Sequence, residues 1–160
     1  MTFKTTDLCD ANEGKLWIAD PIFRAYGGKA VFAGEIVTVK VFEDNVLVRE
    51  VLSQTGNDRV LVVDGGGSLR CALVGGLMAQ LAEKNGWSGL VVFGCIRDVN
   101  EINERMLGVR ALNTHPLKSS KRGHGECNIP VTFAGVSFAP GYYVYADEDG
   151  MVVSATSLHP

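Results

Sequence analysis

The residues best suited to chemistry in this chain lie in two short stretches, Gly75-Gly76-Leu77-Met78 and Arg97-Asp98. A guanidinium grips a carboxylate through two parallel hydrogen bonds. An adjacent aspartate holds a hard divalent cation such as Mg²⁺, mostly through water. Together they suit a small oxoacid whose developing enolate needs electrostatic stabilisation. Two glycines inside a helix each cost about 1 kcal/mol relative to alanine, so Gly75-Gly76 reads in two ways. Either a helix packs closely there against a neighbour, or it is two pieces, a short turn over 68–74 and a helix starting near Gly76. In the second case the N–H groups of Gly75, Gly76, Leu77 and Met78 form an anion site. Arg97-Asp98 has a plain reading too: Asp98 caps a helix together with Glu101, and Arg97 makes a surface ion pair.

The elements around these stretches must bring them together. Residues 60–63 (VLVV) read as a fully apolar strand, ended by Asp64-Gly65-Gly66-Gly67. Leu69, Ala72, Leu73, Leu77 and Leu81 follow at helical spacing, and Asn85-Gly86 supplies a helix stop. Residues 90–93 (LVVF) form a second buried strand, so the unit is a parallel crossover. Loops after parallel strands share one sheet edge, where ligands bind. That places Arg97-Asp98 beside Gly75-Gly76. Upstream, a short helix and a loop precede residues 34–42 (GEIVTVKVF), whose alternation predicts a half-buried strand. Glu43-Asp44-Asn45 is a turn signal, and residues 46–48 are predicted to return as a partner strand. Downstream, VTFAGVSF predicts two short strands about Ala134-Gly135, with further strands over 142–145 and 151–154.

Other motifs point elsewhere less firmly. VLVVDGGG is similar to a nucleotide-binding loop, but no G-x-G-x-x-G is present and no acid ends the next strand to hold a ribose. A sharp turn needing positive φ explains the glycines. Asp147-Glu148-Asp149 reads as a solvated hairpin turn. Arg122-Gly123-His124-Gly125 reads equally as a flexible site loop or an ordinary connection. Cys9, Cys71, Cys95 and Cys127 form no C-x-x-C pair and read as buried free thiols. His115, His124 and His159 lack the close spacing of a structural zinc site.

At 160 residues and 17.2 kDa the chain suits a single domain, 1–160. Surface scaling gives a folded area of roughly 7,800 Å². Hydrophobic residues at 46% and charged ones at 21% argue against disorder, a coiled coil and collagen. No apolar run is long enough to cross a bilayer, and the N-terminus has no signal-peptide core, so a cytoplasmic protein is expected. The net charge is −3 and the basic residues are scattered, apart from the short cluster over 118–122. Direct nucleic-acid binding is not expected on that pattern, whereas an acidic chain still attracts basic protein partners.

The stretches TTDLCDAN, FAGEIVTVKVFEDN, VLVVDGGGSLRCAL, NGWSGLVVFGCIRDVNEI, GVRAL and YADEDG resemble the RraA-like family. That family holds regulators of ribonuclease activity and class II 4-hydroxy-4-methyl-2-oxoglutarate aldolases. The resemblance implies a swivelling α/β fold with a β-sandwich-like core and outer helices, assembled as a homotrimer with the site between subunits. It implies a divalent metal, Mg²⁺ or Mn²⁺, and cleavage of 4-hydroxy-4-methyl-2-oxoglutarate, or decarboxylation of oxaloacetate, to pyruvate. Arg97 would hold substrate and Asp98 the metal, while Gly75, Gly76, Leu77 and Met78 would contact the pyruvoyl group. Aldolase-type members carry an Asp with twenty residues between it and the Arg; that position here is Gly76. Ser68 and Glu101 are the residues that could replace the missing acid. The regulatory branch implies instead a non-catalytic protein that binds and inhibits ribonuclease E. A methyltransferase activity, an older label in the family, draws little support from the glycine motif.

Overall fold

The computed structural model describes residues 2–158; His159 lies outside them. The element order is α1 (Thr5–Ala11), β1 (Trp17–Ile18), β2 (Arg24–Tyr26), β3 (Phe32–Lys40), α2 (Val46–Leu52), β4 (Val60–Asp64), β5 (Ala72–Val74) and α3 (Gly76–Lys84). There follow β6 (Gly89–Ile96), α4 (Val99–Asn103), β7 (Gly108–Thr114), β8 (Glu126–Cys127), β9 (Val131–Phe133), β10 (Val136–Phe138), β11 (Tyr143–Asp147) and β12 (Gly150–Ser154). The main sheet runs β1-β12-β11-β3-β4-β6-β7-β2, with β5 added to the end of β6 and β8 to β3. β3, β4, β6 and β7 are parallel, and the flanking pairs are antiparallel.

The apolar run in β4 is explained by burial on both faces. Leu61 and Val63 enter a cluster with Val48 and Leu52 of α2 and Met78 and Ala82 of α3. Val60 and Val62, one residue out of phase, enter a second cluster with Phe32, Phe133 and Phe138. The β9–β10 hairpin closes that second cluster, and Phe133 stacks on Phe93 at 4.8 Å and on Phe138 at 4.5 Å. The sheet curls so that Phe32 of β3 lies over the backbone of Gly89 and Gly108, in β6 and β7. A Cβ at either glycine would run into its ring. The result is a mixed α/β fold, a curled sheet with few helices. Its accessible surface is 7890 Å², close to the scaling expectation.

The crossover unit, the stop at Asn85-Gly86 and the late hairpins form as expected. Four expectations need correction. Residues 46–48 begin helix α2, not a strand, because parallel pairing of β3 with β4 requires a crossover element. Val48, Val51 and Leu52, three and four apart, supply its buried stripe. The strand predicted over 34–42 runs Phe32–Lys40 and is covered on both faces for most of its length. Thr38 is fully buried there because its hydroxyl donates to the Ile129 carbonyl at 2.6 Å. Residues 72–74 form β5, so the helical spacing from Leu69 is not one helix; the helix starts at Gly76 as the two-piece reading expects, but the piece before it, over 68–74, is a loop leading into a strand and not a short turn. Of the cysteines, Cys71 and Cys95 are buried, but Cys9 is half-buried and Cys127 is exposed on the short edge strand β8.

The hairpin turn after β11 also differs in part. Glu148 and Asp149 are exposed as expected, but Asp147 is buried. Its carboxylate accepts from the Thr5 backbone N–H at 2.6 Å and the Thr5 hydroxyl at 2.7 Å, which ties α1 to the sheet. No helix of the described residues is long and apolar enough to cross a membrane.

Candidate active site at the ends of β5 and β6

β5 and β6 run parallel and end together, with Val74 paired to Ile96. Gly75 and Arg97 are therefore the next residues on two adjacent strands. The Arg97 N–H donates to the Val74 carbonyl at 2.9 Å and holds the two exits side by side. The pairing of Arg97-Asp98 with Gly75-Gly76 follows from this register.

Asp98 takes a left-handed backbone conformation, φ 62° and ψ 48°. A helix N-cap needs extended dihedrals, so the predicted capping box with Glu101 does not form and Asp98 makes no side-chain cap bond. The carboxylate instead turns across to the next strand exit. Its Oδ2 accepts the Gly76 N–H at 2.9 Å. That bond occupies one orphan donor of α3, a correction to the expectation that the Gly76 N–H is free. The N–H groups of Leu77 and Met78, in the first turn, have no intrahelical partner by geometry.

The two glycines are explained by close approach. A Cβ on Gly75 would sit 3.0 Å from Asp98 Oδ2. A Cβ on Gly76 would overlap Glu101 Oε2. The Glu101 carboxylate thus fills the space that a side chain at position 76 would take. Of the two candidate substitutes, Glu101 lies at the site. Ser68 does not: its hydroxyl donates to Glu43, which Arg70 also engages at 2.7 Å. The Arg70 guanidinium and then the Ser68 hydroxyl hold the Glu43 carboxyl below its ordinary range.

That network also accounts for the DGGGSLR loop. Asp64 Oδ1 accepts the Gly66 N–H at 2.9 Å, and Gly66 and Gly67 have φ of 68° and 73°. The glycines serve a sharp turn against Phe42 and Phe93, as their positive φ requires. The segment 122–125 is a pinned connection: the Arg122 and His124 N–H groups donate to the buried Asp44 carboxylate at 2.8 and 3.3 Å.

Asp98 and Glu101 are exposed and Arg97 is half-buried. Two solvent-facing carboxylates plus water fit Mg²⁺ or Mn²⁺, which are held by one or two carboxylates and keep several waters. Among the described residues no group of three His, Cys, Asp or Glu could hold a metal by itself, so a dehydrated, all-protein site is not what the donor set offers. Burial pushes the Cys71 and Cys95 thiols up, so neither is a ready nucleophile beside the site. A cavity of about 740 Å³ lies elsewhere, lined by Thr5, Phe23, Arg110, Asp147 and Met151 among others. None of Gly75, Gly76, Leu77, Met78, Arg97 or Asp98 lines it.

Sequence reading missed what holds the Arg97 side chain. Its Nη1 donates to the Pro116 carbonyl at 3.3 Å. Pro116 is nineteen residues away, in a turn with no motif to flag it.

The Aldolase/RraA pattern of the RraA-like family matches residues 5–153. A protein of Dechloromonas aromatica named "Putative 4-hydroxy-4-methyl-2-oxoglutarate aldolase" is 59% identical over 162 residues, covering 99% of each chain. The solved structure of the RNA-processing inhibitor RraA from Thermus thermophilis is 44% identical, with a TM-score of 0.94 over 99% of this chain and 98% of that one. A Geobacillus kaustophilus structure described as an S-adenosylmethionine:2-dimethylmenaquinone methyltransferase is 49% identical, with a TM-score of 0.96 over 98% and 97%.

Proposed function

This chain belongs to the RraA-like family, and on that premise we propose that it is a divalent-metal-dependent carbon–carbon lyase. Its substrates are 4-hydroxy-4-methyl-2-oxoglutarate, cleaved to two pyruvates, and oxaloacetate, decarboxylated to pyruvate. The observation that carries this reading is the meeting of Arg97, Asp98 and Glu101 with the first turn of α3. The name of the Dechloromonas aromatica relative supports it.

Asp98 would hold the cation, with Glu101 beside it. When bound, the cation supplies Lewis-acid polarisation of the substrate's 2-oxo group. Arg97 clamps the adjacent carboxylate, and the N–H groups of Leu77 and Met78 face the same anionic end. In aldol cleavage Glu101 accepts the proton of the 4-hydroxyl. The C3–C4 bond breaks, C4 becomes the carbonyl of one pyruvate, and the electron pair moves onto C3 as the enolate of the other. C3 then takes a proton. Oxaloacetate loses carbon dioxide to reach the same enolate and needs no base for a hydroxyl.

The protein is proposed to work as a cytoplasmic homotrimer of single-domain chains. Phe42, Leu69, Leu77 and Leu117 are large apolar side chains left exposed on segments flanking the site, which supports cover by a neighbouring chain. The test is oxaloacetate decarboxylation by purified protein with Mg²⁺ or Mn²⁺ and then with chelator, free-metal background subtracted. Asp98→Ala is expected to remove metal-dependent turnover. Glu101→Gln is expected to lower aldol cleavage about 100-fold or more while largely sparing decarboxylation. Turnover that survives Asp98→Ala unchanged overturns the metal assignment.

The Thermus thermophilis neighbour, named as an RNA-processing inhibitor, favours a second reading: a non-catalytic regulator that binds ribonuclease E. Capture of a basic ribonuclease segment, weakening along a salt series, with no turnover above background, would select it.

A further inference from the structure

We infer that His115 is a positioning residue that sets the Arg97 guanidinium by shaping the turn whose Pro116 carbonyl receives it. The inference rests on the lyase reading for Arg97's role and on the hydrogen bonds of the turn for its own geometry. The turn is pinned at both ends to the strands that build the site. The His115 N–H donates to the Ile96 carbonyl at 2.9 Å, and the Leu117 carbonyl accepts from the Ala72 N–H at 2.8 Å. Ile96 immediately precedes Arg97, and Ala72 opens the strand that leads to Gly75. Lys118 then bridges to Ala72.

Within the turn, the Leu117 N–H donates to His115 Nδ1 at 3.1 Å. Nδ1 must therefore be the unprotonated nitrogen, with the ring proton on Nε2. This bond spans Pro116, which has no N–H of its own, and fixes which way its carbonyl faces. Arg97 Nη1 donates to that carbonyl at 3.3 Å, while the Arg97 backbone is fixed through Val74. The guanidinium of a long, flexible side chain is thereby held at both its root and its tip. Without the His115 bond the tip alone is released. The loss falls on a grip made equally in ground and transition states, which raises KM and leaves kcat nearly unchanged.

Asparagine provides the discriminating variant. Its Oδ1 accepts from the N–H two residues on, and Asn-Pro favours turn initiation. His115→Ala is expected to raise the oxaloacetate KM about fivefold or more with kcat within about twofold, and His115→Asn to stay within about twofold of wild type in both. NMR on the substrate-free protein reads the same claim without turnover. His115→Ala should speed exchange of the Leu117 amide about tenfold and drop the Arg97 Nε–H order parameter below about 0.6, whereas His115→Asn should do neither. An unchanged KM and an ordered Arg97 in His115→Ala, or a His115→Asn variant as impaired as His115→Ala, overturns the inference. If wild type shows no turnover, the lyase reading falls, and the NMR comparison alone decides whether His115 positions Arg97.

Discussion

At the residue scale, the carboxylates of this chain are set to different tasks by what donates to them. Asp147 is buried, which pushes its carboxyl up, but the Thr5 backbone N–H, the Thr5 hydroxyl and the Asp149 N–H together pull it below its ordinary value. Asp44 is lowered in the same way by donors from Val46, Arg122 and His124, against the opposing effect of burial. A carboxyl whose folded value is depressed contributes stability that is fully present above its unfolded value, near 3.9. That contribution fades as pH falls through the folded value. Asp147→Ala is expected to cost about 1–3 kcal/mol at pH 7, because the buried Thr5 donors lose their acceptor. Its stability should then fall less steeply than wild type below about pH 4. Urea unfolding across pH 2–7 measures both effects; equal acid slopes would remove the role given to Asp147. Asp98 and Glu101, by contrast, are exposed and face the strand exits, where a ligand has access.

At the element scale, the contact of α3 with α4 decides which side chain fills the space beside Gly76. Gly76 begins α3, and the Glu101 carboxylate from α4 occupies the volume its side chain would need. An aspartate at 76 and a glutamate at 101 therefore compete for one place. The expectation is a suppressor: Gly76→Asp introduced into Glu101→Ala, which vacates that place, restores aldol cleavage at least about tenfold over Glu101→Ala alone, and Gly76→Ala in the same background does not. An aspartate in the first turn is also favourable to the helix, so loss of fold should not obscure the result. Rates on 4-hydroxy-4-methyl-2-oxoglutarate, with decarboxylation as the control, provide the readout; equal effects of Asp and Ala would refute the exchange of acids.

At the scale of the whole molecule, the curled sheet is what allows β3, β6 and β7 to share one core. Phe32 lies on the backbone of Gly108 and Gly89, and the buried Arg110 stacks over its ring at 5.1 Å. Gly108→Ala is expected to destabilise by about 1–3 kcal/mol, since the added methyl meets an aromatic ring packed on all sides. Phe32→Leu in the same chain should recover part of that loss. Guanidinium melts of the single and double variants test the coupling, which vanishes if the two changes simply add.

Periodicity and turn chemistry in the sequence determined the parallel crossover, the helix stop at Asn85-Gly86, the late hairpins and the position of Arg97-Asp98 at a strand exit, but not the β5 pairing that sets Gly75-Gly76 beside it. Such features depend on neighbours in the chain, where alternation and φ preferences act. Only the tertiary structure decided the rest. Residues 46–48 are helical because of a distant parallel pairing. Asp98 turns left-handed toward Gly76 because the β5 exit lies beside it. Glu101 fills the place of a side chain at 76 because α4 packs on α3, and Arg97 finds its acceptor on a turn nineteen residues away. These are contacts between segments far apart in sequence, and spacing along the chain carries no record of them.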